Sequence, residues 1–498
     1  MNRLIQSAIG IVLLSLAGLP GGTASAADRP NVLFLIADDL NNSLGCYGRP
    51  MVKTPNIDRL AARGVRFDRA YCQYPLCGPS RNSMLTGLYP NSTGIKGNGQ
   101  IFRQTIPSHP SLPQAFRLEG YFAGRIGKLY HYNVPNSVGT NGHDDPGSWE
   151  LELNPAGVDR LVEQPDEIFS LVPGQFGGTL SWYASPRPEE QHTDALQAAD
   201  AEWVLERCAR QSDRPFFLAV GFFRPHTPYV APASYFEGYP KEEMPVVRGI
   251  EEDRADIPSP GLMSAKKEQE TMSDDLRREA VQAYFASITF MDAQVGKVLD
   301  ALDRLGLSDN TIIVMTSDHG YHLGEHGLWQ KMSLFEESAR VPLLIAAPGV
   351  SKGGTVSTAP VGLVDLYPTL AELCGVSPPD NLQGQSLVPL LRDPEAPGRG
   401  WALSQVRRGG GPNGFEGYSI RTPRWRYTEW DDGGRGRELY DHDADPRELT
   451  NLADDPGHAE TVAELSALLL EAVRSTFPPS GEVPALRNGL WAPNLTNP

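Results

Sequence analysis

Apolar and polar positions along the chain fall into two rhythms. The first is the short, uninterrupted apolar run. Such runs occupy Asn31–Ala37 and residues 215–221, 311–316 and 341–347, while 121–128, interrupted by Arg125, reads as a further short strand. Each has the length and composition of a strand buried on both faces. The second rhythm is helical. Residues 54–67 place Ile57, Leu60, Ala61 and Val65 on one face, after Pro55 near the start. Residues 112–118 follow Pro107 and Pro110 and repeat the pattern, as do residues 193–209 with Leu196, Ala199, Trp203, Val204 and Leu205. The longest predicted helix covers 275–305, with a stripe of Tyr284, Ile288, Met291, Val295, Val298, Leu302 and Leu305 suited to core packing. Strands alternating with helices predict an α/β fold, with a large, mostly parallel sheet sandwiched by helices.

Two stretches break both rhythms. Residues 133–190 fill with Gly, Pro, Asn and Asp, and are read as the rim of a site. Residues 237–275 are charged, Pro-containing and irregular. Residues 392–399, with two Pro and one Gly, read as a linker. Beyond it, 418–420, 425–429 and 438–440 read as antiparallel strands, and 458–476 as a helix. The expected organisation is a leader at 1–26, a catalytic domain at 27–395 and a smaller C-terminal α+β subdomain at 396–498. No internal repeat is present.

Composition narrows the function. The 498 residues suffice for a large core, and the 50 Gly and 43 Pro point to many ordered loops rather than a helical bundle. A formal charge of −17 argues against nucleic acid or an anionic membrane as partner. Arg3, the apolar run 9–19 and Ala24-Ser25-Ala26 form the pattern of an export signal, so the protein is expected to be secreted or periplasmic. No later stretch is long and apolar enough to span a membrane. Cys46, Cys72, Cys77, Cys208 and Cys374 are too few for a disulfide scaffold, and their odd number leaves at least one unpaired.

The candidate chemistry sits where the apolar runs end. Asp38-Asp39, His226 and Asp318-His319 follow three of the predicted strands. In open parallel sheets ligands bind beyond the carboxyl ends of strands, so these residues are expected to converge. Asp38, Asp39 and Asp318 would repel one another without a cation, and oxygen donors favour calcium or magnesium over zinc. Lys128 and His131 follow another strand, and Lys331 lies beside the Asp318 loop. His322 and His326 are read as structural neighbours. The run Leu76-Cys77-Gly78-Pro79-Ser80-Arg81 combines a candidate nucleophile with a permanent cation and leads into a possible helix.

The spacing Cys77-x-Pro79-x-Arg81 resembles the signature of type I sulfatases, members of the alkaline-phosphatase superfamily. Residues 32–39, 127–131, 225–228 and 317–325 resemble further sulfatase blocks in family order, and Glu438-Leu439-Tyr440-Asp441 resembles the family's C-terminal ending. Within the family, Leu44-Gly45-Cys46-Tyr47-Gly48, Gly127-Lys128-Leu129-Tyr130-His131 and residues 323–331 are most similar to iduronate-2-sulfatase. So is His319, where many sulfatases carry Asn. The resemblance implies an alkaline-phosphatase/sulfatase-like fold and hydrolysis of sulfate monoesters. It implies that Cys77 is oxidised to formylglycine by a separate maturation enzyme. Asp38, Asp39, Asp318, His319 and the converted Cys77 would hold one Ca²⁺. Arg81 would stabilise the hydrated aldehyde, and Lys128 and Lys331 would clamp sulfate. His226, with Lys331, would protonate the leaving alcohol, and His131 would take a proton from the hydrate. The implied substrate is a sulfated saccharide attacked at a chain end. Residues 94–103 and 133–190 are unlike the lysosomal enzyme's substrate loops, so the resemblance does not fix the sugar. Trp182, Arg407, Arg408 and the 409–411 loop are candidates for sugar contact, with ordinary surface as the competing reading. Two alternatives remain: a phosphodiester or phosphonate hydrolase of the same superfamily, and an inactive sugar-binding protein.

Overall fold

The computed structural model describes residues 29–161, 167–211 and 213–487. The expected leader therefore lies outside the described residues. The central sheet has eight strands: β1 (Asn31–Ala37), β2 (Val65–Phe67), β3 (Phe122–Gly127), β4 (Leu151–Leu153), β5 (Phe216–Phe222), β6 (Thr311–Ser317), β7 (Leu343–Ala346) and β8 (Thr355–Ser357). Their order is β8-β2-β7-β6-β1-β5-β3-β4. All neighbours run parallel except at β7, which is antiparallel to both β6 and β2. The mostly parallel sheet read from the sequence is present.

Its burial explains the uninterrupted apolar runs. In β1, Leu33, Leu35 and Ala37 face one helical layer, while Val32, Phe34 and Ile36 face the other. The first layer contains α1 (Pro55–Ala61), α4 (Thr193–Arg210) and α5 (Asp274–Arg304); the second contains α2 (Cys77–Thr86), α3 (Leu112–Leu118) and α6 (Leu366–Cys374). Both faces are thus dry, and alternation disappears from the sequence.

Three local expectations change. The helix expected over 54–67 stops at Ala61, and Val65–Phe67 is β2. A Cβ on Gly64 would lie 2.3 Å from the Ile345 carbonyl oxygen, so this turn into the sheet needs glycine. The run at 341–347 is split: Arg340–Val341 pairs with Ala70–Tyr71, and β7 begins after Pro342. The C-terminal sheet has four antiparallel strands, β9 (Ala402–Arg408), β10 (Phe415–Arg421), β11 (Trp425–Trp430) and β12 (Arg437–Asp441). The first of them was not expected. Helix α7 (Ala459–Ser475) covers this sheet through Leu465, Leu469 and Ala472.

All five cysteines are free thiols. Among the described residues no helix is long and apolar enough to cross a membrane.

Candidate active site

Cys77 is the first residue of α2 and is fully buried. Its Sγ lies 3.3 Å from His319 Nε2, 3.2 Å from Lys331 Nζ and 3.8 Å from Asp39 Oδ1. The sheet explains how such distant residues meet. β1 and β6 are parallel neighbours, with Ala37 opposite Ser317. Asp38-Asp39 and Asp318-His319 therefore leave the sheet side by side. Asp39 has a left-handed φ of 64°. That turn breaks the alternation of a strand and lets both consecutive carboxylates serve one site.

Arg81 lies one helical turn after Cys77 and holds the carboxylates in place. Its Nη2 donates to Asp38 Oδ1 at 3.0 Å and its Nε to Asp318 Oδ2 at 2.9 Å. Its Nη1 donates to the carbonyls of Lys128 and Leu129 at 2.6 and 3.1 Å. The guanidinium is therefore committed to the carboxylates and the Lys128 backbone rather than to Cys77. Lys128 Nζ donates to Asp38 Oδ2 at 2.6 Å, and Lys331 Nζ to Asp39 Oδ1 at 2.5 Å. His226 Nε2 approaches Asp39 Oδ2 at 3.8 Å. His131 is 8% exposed, and its Nδ1 has no partner.

Burial and charge compete here, and charge wins at position 77. Desolvation pushes the Cys77 thiol up, but Lys128, Lys331 and His319 pull it well below the usual thiol range. Burial and the nearby Asp318 raise Asp38 to about 6, against the pull of Lys128. Asp318 goes the other way despite its burial, because Arg81 and His319 hold it below the usual carboxylate range. His319 resists burial and rises to about 9, chiefly through Asp318. His131 falls to about 4, mainly through burial. The centre thus favours an anion at position 77 and a neutral imidazole at position 131.

The donor set can hold a metal cation. Asp39, Cys77, Asp318 and His319 place one ligand atom each within 4.8 Å of one another, as do Asp38, Asp39 and His226. Asp39 Oδ2 is buried without a hydrogen-bond partner. His319 Nδ1 faces the Gly320 carbonyl at 2.9 Å; a carbonyl only accepts, so Nδ1 carries a proton and Nε2 is presented to the carboxylates. The carboxylates also favour a proton on Nε2, whose place a bound cation would take.

The centre opens into a pocket of about 650 Å³. Its walls include His131, His226 and Lys331 from the centre, Asn98 and His143 from loops, and Met263, Lys266 and Arg408.

A profile described as "Sulfatase" matches residues 30–376, which is more than half of the chain. The chain belongs to the sulfatase family. It is a sulfuric ester hydrolase. A second profile, "N-sulphoglucosamine sulphohydrolase, C-terminal", matches residues 324–475. A sulfatase of Formosa agariphila is 36% identical over 89% of this chain and 86% of its own. Human iduronate 2-sulfatase is 31% identical over 90% of this chain and 96% of its own. Among solved structures, the phosphonate monoester hydrolase of Agrobacterium radiobacter has a TM-score of 0.75 at 25% identity, covering 90% of this chain and 96% of that one.

Within this sulfatase all ten residues singled out as catalytic or metal-binding lie at the centre or in the adjoining pocket wall. The sugar-contact candidates separate. Arg408 lines the pocket, Arg407 pairs with Glu416 at 3.0 Å, and Trp182 packs on Phe169 with ring centres 4.4 Å apart. Lys266 was missed, because a lone lysine in an irregular, charged stretch carries no sequence signal. The 133–190 segment does contribute rim, through Asn133, Val134, His143, Gly177 and Gly178.

Proposed function

We propose that this sulfatase hydrolyses sulfate monoesters on a sulfated saccharide, at a chain end, in the manner of iduronate 2-sulfatase. The observation carrying this reading is Cys77 at a helix N-terminus, touching His319 and Lys331 among three buried carboxylates. Oxidised to formylglycine by a maturation enzyme and hydrated, position 77 would supply one hydroxyl to attack sulfur and a second through which sulfate is released. One Ca²⁺, held by Asp38, Asp39, Asp318, His319 and the converted residue 77, would supply positive charge to the sulfate oxygens.

The chain's own groups complete the chemistry. Lys331 and Lys128 bind sulfate oxygens where charge redistributes in the transition state. Arg81 is a positioning residue, since it fixes Asp38 and Asp318. His226 donates through Nε2 to the leaving alcohol; its Nδ1 is tied to the Thr227 carbonyl at 2.6 Å, which fixes the ring. His131 accepts a proton, because a residue lowered to about 4 is neutral at neutral pH. The local cations also reconcile an anionic substrate with a chain of net charge −17. Export through residues 1–26, a catalytic domain at 27–395 and a C-terminal subdomain at 396–498 complete the proposal.

The test is sulfate release from defined sulfated saccharides by protein co-expressed with a maturation enzyme. Mass spectrometry of the Cys77 peptide should show the aldehyde or its hydrate. Cys77→Ala should lower turnover by about 10³-fold or more while the fold persists. Full activity with an unmodified thiol would refute the mechanism. Similarity to a phosphonate monoester hydrolase supports a second reading at the same centre. Phosphonate and phosphodiester assays run in parallel decide it, since faster turnover of either would replace the sulfatase assignment.

A further inference from the structure

Buried cations in this protein are answered by acids. Arg81 pairs with Asp38 and Asp318, Arg103 with Asp145, Arg224 with Asp159, and Arg426 with Glu336 and Glu448. Arg408 departs from this rule. It is 4% exposed, yet among the described residues it has no carboxylate partner. Its Nε donates to the Pro260 carbonyl at 3.0 Å, its guanidinium lies 5.2 Å from the Trp430 ring centre, and its Nη2 has no partner at all. A buried guanidinium is expected to find an anion, because desolvated charge is costly when unpaired. Burial pulls Arg408 down to about 10, outweighing the opposing pull of Tyr74 and of Glu438, which makes no ion pair with it.

Lys266 repeats the pattern on the same pocket. Its Nζ donates to two neutral acceptors, the Gly178 carbonyl and Gln330 Oε1. Burial and the nearby Lys331 both lower it. Both side chains line the pocket that Lys331, His131 and His226 share with the reacting centre. Gln330, which Lys266 grips, is the residue before Lys331. A group bound by Arg408 and Lys266 would therefore belong to the molecule whose sulfate is at position 77.

We propose that Arg408 and Lys266 form a second anion subsite, and that the substrate is a saccharide bearing a carboxylate or a second sulfate besides the sulfate removed. Arg408 presents a planar fork suited to either oxyanion, and Lys266 a point charge. The inference rests on the sulfatase reading of the centre. It adds that the two anions are recognised by different walls of one pocket.

The test uses matured enzyme and glycosides of one sugar, all sulfated at the cleaved position. One carries a carboxylate, one a second sulfate, and one is neutral elsewhere. Wild-type kcat/KM should favour at least one dianionic compound over the neutral one by about tenfold or more, chiefly through KM. The preferred compound identifies carboxylate or sulfate as the anion. Arg408→Gln and Lys266→Gln should each shrink that ratio about fivefold, and Arg408→Lys should retain part of it. Equal kcat/KM across the three compounds, or variants that lower all three alike, would overturn the subsite. Binding separates this failure from failure of the hydrolase reading. Calorimetry with the Cys77→Ala protein should show tighter binding of a dianionic glycoside, and Arg408→Gln in that background should abolish the difference. Equal affinities there overturn the subsite even where sulfate release is intact. A retained difference without any sulfate release leaves the subsite standing and removes the hydrolase assignment.

Discussion

Residues held in uncommon backbone conformations concentrate around this centre. Asp39 has φ 64°, and Lys331 is bracketed by Gln330 at φ 70° and Met332 at φ 75°. Each such residue costs on the order of 1–3 kcal/mol, sustained only where neighbours enforce it. A fourth, His326 at φ 55°, lies outside the pocket in a buried ion pair. Its Nδ1 is 3.1 Å from Asp253 Oδ2 and its Nε2 3.6 Å from Glu337 Oε2, while its ring stacks on Phe335 at 3.9 Å. Burial opposes its charge, but the hydrogen bond to Asp253 and the nearby Glu337 carboxylate raise it to about 10. The folded state thus binds this proton more tightly than the unfolded chain, where histidine titrates near about 6.5. The resulting stabilisation is complete below that value and disappears as pH rises through about 10. His326→Gln should therefore cost on the order of a few kcal/mol at pH 6 and clearly less at pH 10. Urea denaturation of both proteins across this range measures it. An equal cost throughout would mean that His326 acts through packing alone.

Strand ends deliver the chemistry, and helices fix where those ends point. Asp194, in the first turn of α4, accepts the backbone N–H groups of Phe223 and Arg224, both at 3.0 Å. Arg224 then reaches Asp159 at 2.6 Å and the Pro228 carbonyl at 2.9 Å. The end of β5 is thereby fastened on both sides of His226. Asp194→Ala leaves two buried amides unpaired, at about 1–3 kcal/mol each. It should lower the unfolding midpoint and reduce kcat more than it raises KM, because His226 loses its placement. Asp194→Asn, which keeps an acceptor, should recover part of both. An unchanged kcat in a destabilised Asp194→Ala protein would detach this clasp from catalysis. Asp194 itself could not be singled out from sequence, since an acidic residue in a first helical turn is ordinary. Asp38-Asp39 and Asp318-His319 could, because each follows an apolar run whose end must lie at a sheet edge. The same logic failed where local rhythm misleads. Residues 54–67 keep helical spacing through Val65, but Gly64 turns the chain into the sheet. β9 escaped because Arg407 and Arg408 end it in charge before a glycine-rich loop. Lys266 and Arg408 reach the pocket only through tertiary packing, which no periodicity encodes.

At the scale of the whole molecule, the C-terminal sheet is a support for Cys77 as well as a wall of the pocket. β9 lies along the segment leading into α2: Ser404 Oγ donates to the Cys72 carbonyl at 2.5 Å, Gln405 N to the Gln73 carbonyl at 2.9 Å, and Arg407 N to Tyr74 Oη at 2.9 Å. The lock behind this contact is Arg426 of β11, which is 1% exposed and pairs with both Glu336 and Glu448. Glu336 also accepts from Tyr71 Oη at 3.0 Å, and Glu448 accepts from the Glu336 backbone N–H at 2.8 Å. Burial opposes charge on Glu448, but Arg426 and His442 hold it down at about 2. Both carboxylates are thus ionised at neutral pH and share Arg426 as their closest cation, with Arg421 and Arg340 at 3.6 and 3.7 Å from Glu336 and His442 at 2.8 Å from Glu448. Removing that cation takes the closest counter-charge from two buried carboxylates, and Arg426→Ala should cost about 3 kcal/mol. Because the same sheet carries Arg408, a partly loosened sheet should also raise KM for the dianionic saccharide before overall unfolding begins. Denaturant titration followed in parallel by tryptophan fluorescence and by KM resolves the two effects. Arg426→Lys keeps the charge without the fork and should fall between wild type and Ala. A cost below about 1 kcal/mol for Arg426→Ala would place this network among ion pairs that contribute little, and the attachment of the sheet would then rest on the β9 hydrogen bonds and apolar packing.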